Sequence, residues 1–276
     1  MALKVGFIGL GTMGSALAAN ALHAGFDLMV YDLREEPVNE LVRLGAKAAG
    51  SAAEIGAHGE VIQTAVVDDA QTEAVALGAN GILQRARPGS LIMIHSTIHP
   101  KTVRQIAAAA EAKGVGVVDA QMSGGQTGAR ARQLCFMVGG EKSNFEKCRT
   151  VLSASAAHII HAGAVGMGAT AKLAQQTIIC LNRMAAYEGM TLAEKAGLDP
   201  KILEQIVRVT PAQSQIADNW IAQYRELKSA DPRWMAHLFY KGLCPALELA
   251  HEVGFSAPAI ALVMQRFEWI LGLKKD

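Results

Sequence analysis

Three glycines, Gly9, Gly11 and Gly14, stand at G-x-G-x-x-G spacing between a β-forming apolar run at 5–8 and an alanine-rich stretch. That spacing fits a strand-to-helix turn laid against a pyrophosphate. Gly9 permits the tight turn, Gly11 leaves no side chain where the phosphates approach, and Gly14 lets the helix pack on the strand. With Leu10, Thr12 and Met13 between them, the first backbone N–H groups of the helix face the anion. Asp32 closes the next β-forming run, where a carboxylate accepts hydrogen bonds from adenosine ribose hydroxyls and repels a 2′-phosphate. Arg34 is two residues later and is the kind of residue that holds such a phosphate. The acidic residue favours NAD over NADP.

Three more groups of residues invite chemistry. Lys172, Gln175, Gln176 and Arg183 share one face at helical spacing, as a solvated stripe or as a polar site. Ser123-Gly124-Gly125 follows a β-forming run. It reads as an ordinary turn, or as a nest of N–H groups that joins the Ser123 hydroxyl around a carboxylate. Ser96 and Thr97 follow the run 91–94, at the carboxyl edge where parallel sheets bind ligands. His95 and His99 flank them, but Pro100 interrupts a helix there and no carboxylate or cysteine joins them, so no metal is expected.

The elements that must carry these residues alternate through the first part of the chain. β-forming runs at 4–8, 28–31, 61–67, 91–94, 115–118 and 134–138 are separated by helical stretches such as 14–24 and 102–113, and "HIIHAG" at 158–163 closes the series. This rhythm predicts an α/β Rossmann domain, a doubly wound parallel sheet with helices on both faces. Beyond Gly163 it stops. A long helix over 164–196 should end at Gly197, and Asp199-Pro200 should start the next. The chain is expected to divide into a dinucleotide-binding domain, 1–163, and an all-helical domain, 164–276.

In 276 residues, 51% are hydrophobic, 18% are charged and the formal net charge is +1. Disorder is excluded by this balance, and nothing in the charge calls for nucleic acid or an acidic membrane. No apolar stretch nears the ~20 residues that span a bilayer, and glycines interrupt the N-terminal apolar run. Cys135, Cys148, Cys180 and Cys244 are scattered, as reduced thiols of a cytoplasmic protein are. Trp220, Trp234, Phe239 and Tyr240 read as core or subunit packing in the helical part, with an aryl-bearing substrate left open.

Taken together, the motifs resemble the β-hydroxyacid dehydrogenase family, the relatives of 3-hydroxyisobutyrate dehydrogenase. The likeness runs through "GLGTMG" with Asn20 and Gly25, "STIHP" at 96–100, "DAQMSGG" at 119–125, "MVGGE" at 137–141, "GMGATAK" at 166–172 and "YKGLCPALELA" at 240–250. It implies hydride transfer between NAD(P) and the hydroxyl carbon of a small β-hydroxy acid, with the site in a cleft between a Rossmann and a helical domain. By this likeness Lys172 is the acid/base, Ser123, Gly124 and Gly125 hold the substrate carboxylate, and Gln176, beside Gln175, positions the substrate. Ser96, Thr97 and Lys241 approach the nicotinamide or its surroundings, and the chain forms a homodimer or homotetramer.

Alcohol oxidation requires a base within reach of the hydroxyl proton. A lysine serves only if burial and a positive ring lower its pKa from about 10.4. The chain departs from the family at several places: glutamines for an asparagine pair at 175 and 176, Gly242 for an aspartate, Gln121-Met122 for Pro-Val, and Arg132-Gln133 for Gly-Thr. Two competing readings follow. One is a reductase of a semialdehyde or imine, against which Lys172 argues; the other is a degenerate cofactor-binding protein without turnover.

Overall fold

The computed structural model of the chain describes residues 2–222 and 232–270, with side chains throughout except those of 232–239 and 268–270. Trp234 and Phe239 lie outside these described side chains. The backbone divides into two compact units, Met1–Lys172 and Leu173–Asp276.

The first unit is built on an eight-stranded sheet: β1 Lys4–Ile8, β2 Asp27–Tyr31, β3 Lys47–Ala48, β4 Val61–Thr64, β5 Leu91–Ile94, β6 Gly116–Ser123, β7 Leu134–Gly139 and β8 Ala156–Gly163. The spatial order is β3-β2-β1-β4-β5-β6-β7-β8. All neighbours run parallel except β6 and β7. From β1 the chain first builds outward to β2 and then returns to β4, which opens a crevice at the carboxyl ends of these strands.

The helices of this unit are α1 Thr12–His23, α2 Glu35–Arg43, α3 Ala52–His58, α4 Asp69–Leu77, α5 Pro100–Glu111, α6 Gly125–Arg130 and α7 Lys142–Leu152. Alternation along each strand sends side chains to opposite faces. Val5, Phe7, Leu17, Phe136 and Val151 form one core, and Ile8, Ile55, Ile82, Ile94 and Ile106 form the other. Burial on both sides explains why the strands read as continuous apolar runs.

Three differences from the expected strands have local causes. β6 continues to Ser123, because the polar Asp119 and Gln121 are wholly buried and keep their places in the ladder to β7. β4 stops at Thr64, where the chain turns and the Val66 backbone bonds to Ser96 instead. β6 and β7 are antiparallel because only the six-residue α6 and its flanking turns join them, too short for a parallel crossover.

The second unit is helical among the described residues. α8 Met167–Lys195 begins in the first unit and is followed by α9 Pro200–Arg208, α10 Gln215–Asp218, α11 Pro232–Glu252 and α12 Pro258–Ile270. Gly197 takes a φ of +88° and ends α8, and the Asp199 side chain accepts from Lys201 N at 2.9 Å to start α9. Two apolar clusters hold the unit, one around Cys180, Leu243, Val263 and Phe267, the other around Met190, Val207, Ile216 and Trp220. Trp220 is buried and meets Tyr187 edge-on with centroids 6.3 Å apart, a packing role.

Candidate active site

β1 delivers the chain into a turn that only glycine allows at two points. Gly9 has a φ of +88°, and a β-carbon there would stand 2.5 Å from Ala65 O. At Gly14 a β-carbon would lie 1.9 Å from Gly9 O, so helix and turn touch through backbone. Gly11 is different. Its φ is −70°, and a β-carbon there would meet nothing within 4 Å. The fold itself does not need glycine at that position, whereas a ligand lying against the backbone does.

Gly11 is the N-cap of α1, no side chain caps that end, and its first turn holds no acidic residue. Backbone N–H groups of Thr12 and Met13 are thus presented with the positive end of the helix dipole. A cleft of about 530 Å³ opens above, lined among others by Leu10, Gly11, Thr12, Arg34, Gln126 and Arg130. These features fit a dinucleotide pyrophosphate.

Asp32 follows β2 and closes on the same turn. Its Oδ2 accepts from Leu10 N at 2.6 Å, and its Oδ1 accepts from Arg34 N at 2.9 Å and Arg34 Nε at 3.1 Å. Arg34 Nη2 also donates to Leu10 O at 3.1 Å. Partial burial pushes the carboxyl upward, but the Arg34 and Leu10 hydrogen bonds outweigh it and hold Asp32 below its ordinary value. The carboxylate therefore stays ionised beside the turn.

At the carboxyl edge of β5 the two histidines have structural roles. His95 is buried between the rings of Phe7 and Phe136, with Nδ1 2.7 Å from Ala120 O and Nε2 3.0 Å from Gln63 Oε1. Burial holds its pKa down to about 4. His99 caps α5, accepting from Lys101 N at 3.2 Å. Among the described residues no three His, Cys, Asp or Glu side chains gather as a metal would need, and the four cysteines are free thiols. The Ser96 hydroxyl donates to Val66 O at 2.9 Å and accepts from Val66 N at 3.0 Å, so it joins the loops after β4 and β5. Thr97 beside it is half-buried.

Ser123 is the last residue of β6. Gly124 and Gly125 have φ of +129° and +61° and turn the chain into α6, which ends at a buried anchor. There Asn20 Nδ2 donates to Ala129 O at 2.9 Å and to Ser155 Oγ at 3.0 Å, tying α1 to α6. Gln121 is fully buried; its Nε2 reaches Ile94 O at 3.3 Å, and its Oε1 has no partner among the described residues.

Lys172 is half-buried in the second turn of α8 and closes the first unit. Gln175 and Gln176 follow on the same helix in the second unit. Lys241 is half-buried in α11, and Gly242 beside it packs on Gln176: a β-carbon at 242 would stand 2.5 Å from Gln176 Cγ. Asp119 was not expected to matter. It is wholly buried in β6 and accepts from Gly166 N at 2.8 Å and Ala169 N at 2.6 Å. An acidic residue within a β-forming strand is the signal that marks it.

Comparison with known proteins agrees with this geometry. Residues 4–163 match the family model described as the NAD binding domain of 6-phosphogluconate dehydrogenase. Residues 166–274 match that described as NAD-binding of NADP-dependent 3-hydroxyisobutyrate dehydrogenase. A 3-hydroxyisobutyrate dehydrogenase of Pseudomonas aeruginosa is 38% identical over 95% of this chain and 90% of its own length. A probable mitochondrial 3-hydroxyisobutyrate dehydrogenase of Dictyostelium discoideum is 39% identical over 76% of this chain, and the match spans 65% of that protein. The solved 3-hydroxyisobutyrate dehydrogenase of Mycobacterium tuberculosis with L-serine superposes with a TM-score of 0.86 at 28% identity, over 99% of this chain and 94% of that one. On both family models and these relatives, the chain belongs to the β-hydroxyacid dehydrogenase family.

Proposed function

We propose that the chain is an oxidoreductase that moves a hydride between NAD and the hydroxyl carbon of a small β-hydroxy acid, with Lys172 as acid/base. The observation that carries the cofactor half is Gly11, a glycine that the fold leaves free and that a pyrophosphate requires. NAD is favoured over NADP because Asp32 is ionised, Glu35 and Glu36 follow in the first turn of α2, and the Arg34 guanidinium is already engaged by Asp32 and Leu10 O. Each of these disfavours a 2′-phosphate.

When bound, the nicotinamide supplies the hydride acceptor. Lys172 takes the hydroxyl proton as the carbonyl forms and returns it in reduction. Ser123 and the N–H groups of Gly124 and Gly125 hold the substrate carboxylate, and Gln176 with Gln175 orients the hydroxyl carbon. Ser96, Thr97 and Lys241 would help to hold the nicotinamide. Residues 1–163 form the cofactor domain, and 164–276 form the substrate and association domain. Exposed Ile178, Leu192, Ile202, Ile206 and Val209 in the helical unit support a homodimer or homotetramer. Free thiols suit a cytoplasmic setting, and no described helix is long and apolar enough to cross a membrane.

The test is a rate panel of 3-hydroxyisobutyrate, L-serine and other 3-hydroxy acids with NAD and with NADP, followed at the reduced nicotinamide band. Turnover with NAD that falls by about 10³-fold or more in Lys172→Ala, with NADH binding retained, is expected. Full turnover in that variant overturns the role of Lys172.

A further inference from the structure

Three of the sequence stretches, "DAQMSGG", "MVGGE" and "GMGATAK", meet at a single joint. Asp119 comes from β6, Gly139 from the end of β7, and Gly166 and Gly168 from the start of α8. The Asp119 carboxylate is sealed from solvent. Its Oδ1 accepts from Gly166 N at 2.8 Å and its Oδ2 from Ala169 N at 2.6 Å. A carboxylate so placed satisfies the first backbone donors of a helix and lies at the positive end of its dipole.

The joint has no slack. A β-carbon at Gly168 would stand 2.4 Å from Asp119 O, 2.6 Å from Met137 O and 2.8 Å from Gly139 N. One at Gly139 would stand 2.5 Å from Asp119 Oδ1 and 2.7 Å from Gly168 N. Backbone therefore touches backbone at each crossing, and the first turn of α8 has a single seat on the sheet. Lys172 lies one turn beyond Ala169, about 4.5 Å along the helix axis. Ser123 lies on the same strand as Asp119 and, four residues on, faces the same side of the sheet.

We propose that Asp119 is a positioning residue for the reaction: its carboxylate fixes the start of α8, and with it the amine of Lys172, relative to the strand that ends in Ser123. This rests on the reading of Lys172 as acid/base. A buried aspartate that served only the fold would cap its helix equally well wherever the reacting groups lay; here the capped turn leads directly into the lysine. Asp119 touches neither substrate nor cofactor, and its influence passes through Lys172.

The experiment compares wild type with Asp119→Asn, which keeps the shape but replaces one acceptor oxygen by a donor that cannot receive a helix N–H. Rates are measured with NAD and 3-hydroxyisobutyrate, and NADH affinity by fluorescence titration. A fall in kcat of about 10- to 100-fold is expected from displacement of the amine, with KM and NADH affinity held within about threefold. In a Lys172→Ala background, adding Asp119→Asn should change the residual rate by less than about threefold, because the two residues act as one unit. Gly168→Ala, which pushes the same turn away without altering charge, should reproduce the kcat loss.

Unchanged kcat in folded Asp119→Asn overturns the proposal. So does an equal loss in both backgrounds, or failure of both the Asp119 and Gly168 variants to fold, since each marks a purely structural role. Full turnover in Lys172→Ala alone instead refutes the acid/base reading, so the two failures are distinguishable.

Discussion

A β-carbon on Gly14 would stand 1.9 Å from the carbonyl oxygen of Gly9, whereas one on Gly11, between them, would meet nothing within 4 Å. The same motif thus contains a glycine required by packing and a glycine that packing leaves free. Gly14→Ala should destabilise the fold by about 1–3 kcal/mol through overpacking. Gly11→Ala should leave thermal unfolding within about 0.5 kcal/mol of wild type yet weaken NADH at least about tenfold, or 1.4 kcal/mol. Thermal melts and NADH titration of the two variants separate the effects; a Gly11→Ala protein with normal NADH affinity would contradict the assignment.

Asp119 and His95 should pull stability in opposite directions with pH. Burial raises Asp119 from 3.8 to about 6, against the helix N–H groups that favour its charge. The folded protein keeps a proton there that the unfolded chain has released, so this contribution is full below pH 3.8 and lost as pH rises through 6. Burial lowers His95 from 6.5 to about 4, so its contribution is full above pH 6.5 and lost as pH falls through 4. The two trends offset each other in wild type. Asp119→Asn removes one of them, so its stability should rise relative to wild type between pH 4 and 7, by on the order of 2 kcal/mol. Urea unfolding across that range measures the difference, and a flat difference would refute the Asp119 shift.

Gln176 and Gly242 depart together from the family pattern, and the structure shows why. The longer glutamine lies across the position of a missing side chain, with Cγ 2.5 Å from where a β-carbon at 242 would be. Gly242→Ala should cost about 1–2 kcal/mol, and Gln176→Ala should relieve most of that cost. A double-mutant cycle on unfolding free energies should give a coupling near 1 kcal/mol; additive effects would show that the two positions are independent.

Arg132 is the one described residue other than glycine with positive φ, at 59°. It follows α6, and Gln133 N bonds back to Gly128 O at 2.8 Å in the manner of a helix C-terminal stop. Relief of left-handed strain on an L side chain outweighs the added entropy of the unfolded glycine. Arg132→Gly should therefore stabilise the protein by about 0.5–1 kcal/mol. Chemical denaturation checks it, and a loss of stability would mean that the arginine makes compensating contacts.

What could be read in advance divides by distance along the chain. The β1 turn, its glycines and the Gly197 and Asp199 boundaries are local: a few consecutive residues specify them, and each formed where expected. The β-forming run at 115–118 ends where the polar residues Asp119 and Gln121 begin; only tertiary partners, the α8 N–H groups and Ile94 O, make them tolerable in a core. The reversal at β7 was hidden as well, since it depends on how far the short α6 can carry the chain. His95 and His99 looked like a pair by spacing, yet the first stacks in the core and the second caps a helix. Asn20 stood in a recognised motif with no role, and its role lies in residues more than a hundred positions away.

The hydroxyl of Ser96 closes on both backbone polar groups of a single residue, Val66. Two loops that emerge from neighbouring strands are thereby welded into one shelf. A guest arriving on that shelf finds it already ordered, so little disorder remains to be lost on arrival, and adjustment to guests of different size must come from other parts of the chain. Replacing the alcohol by a methyl group would loosen the weld and leave an amide and a carbonyl seeking water at the very rim where a dry surface is wanted.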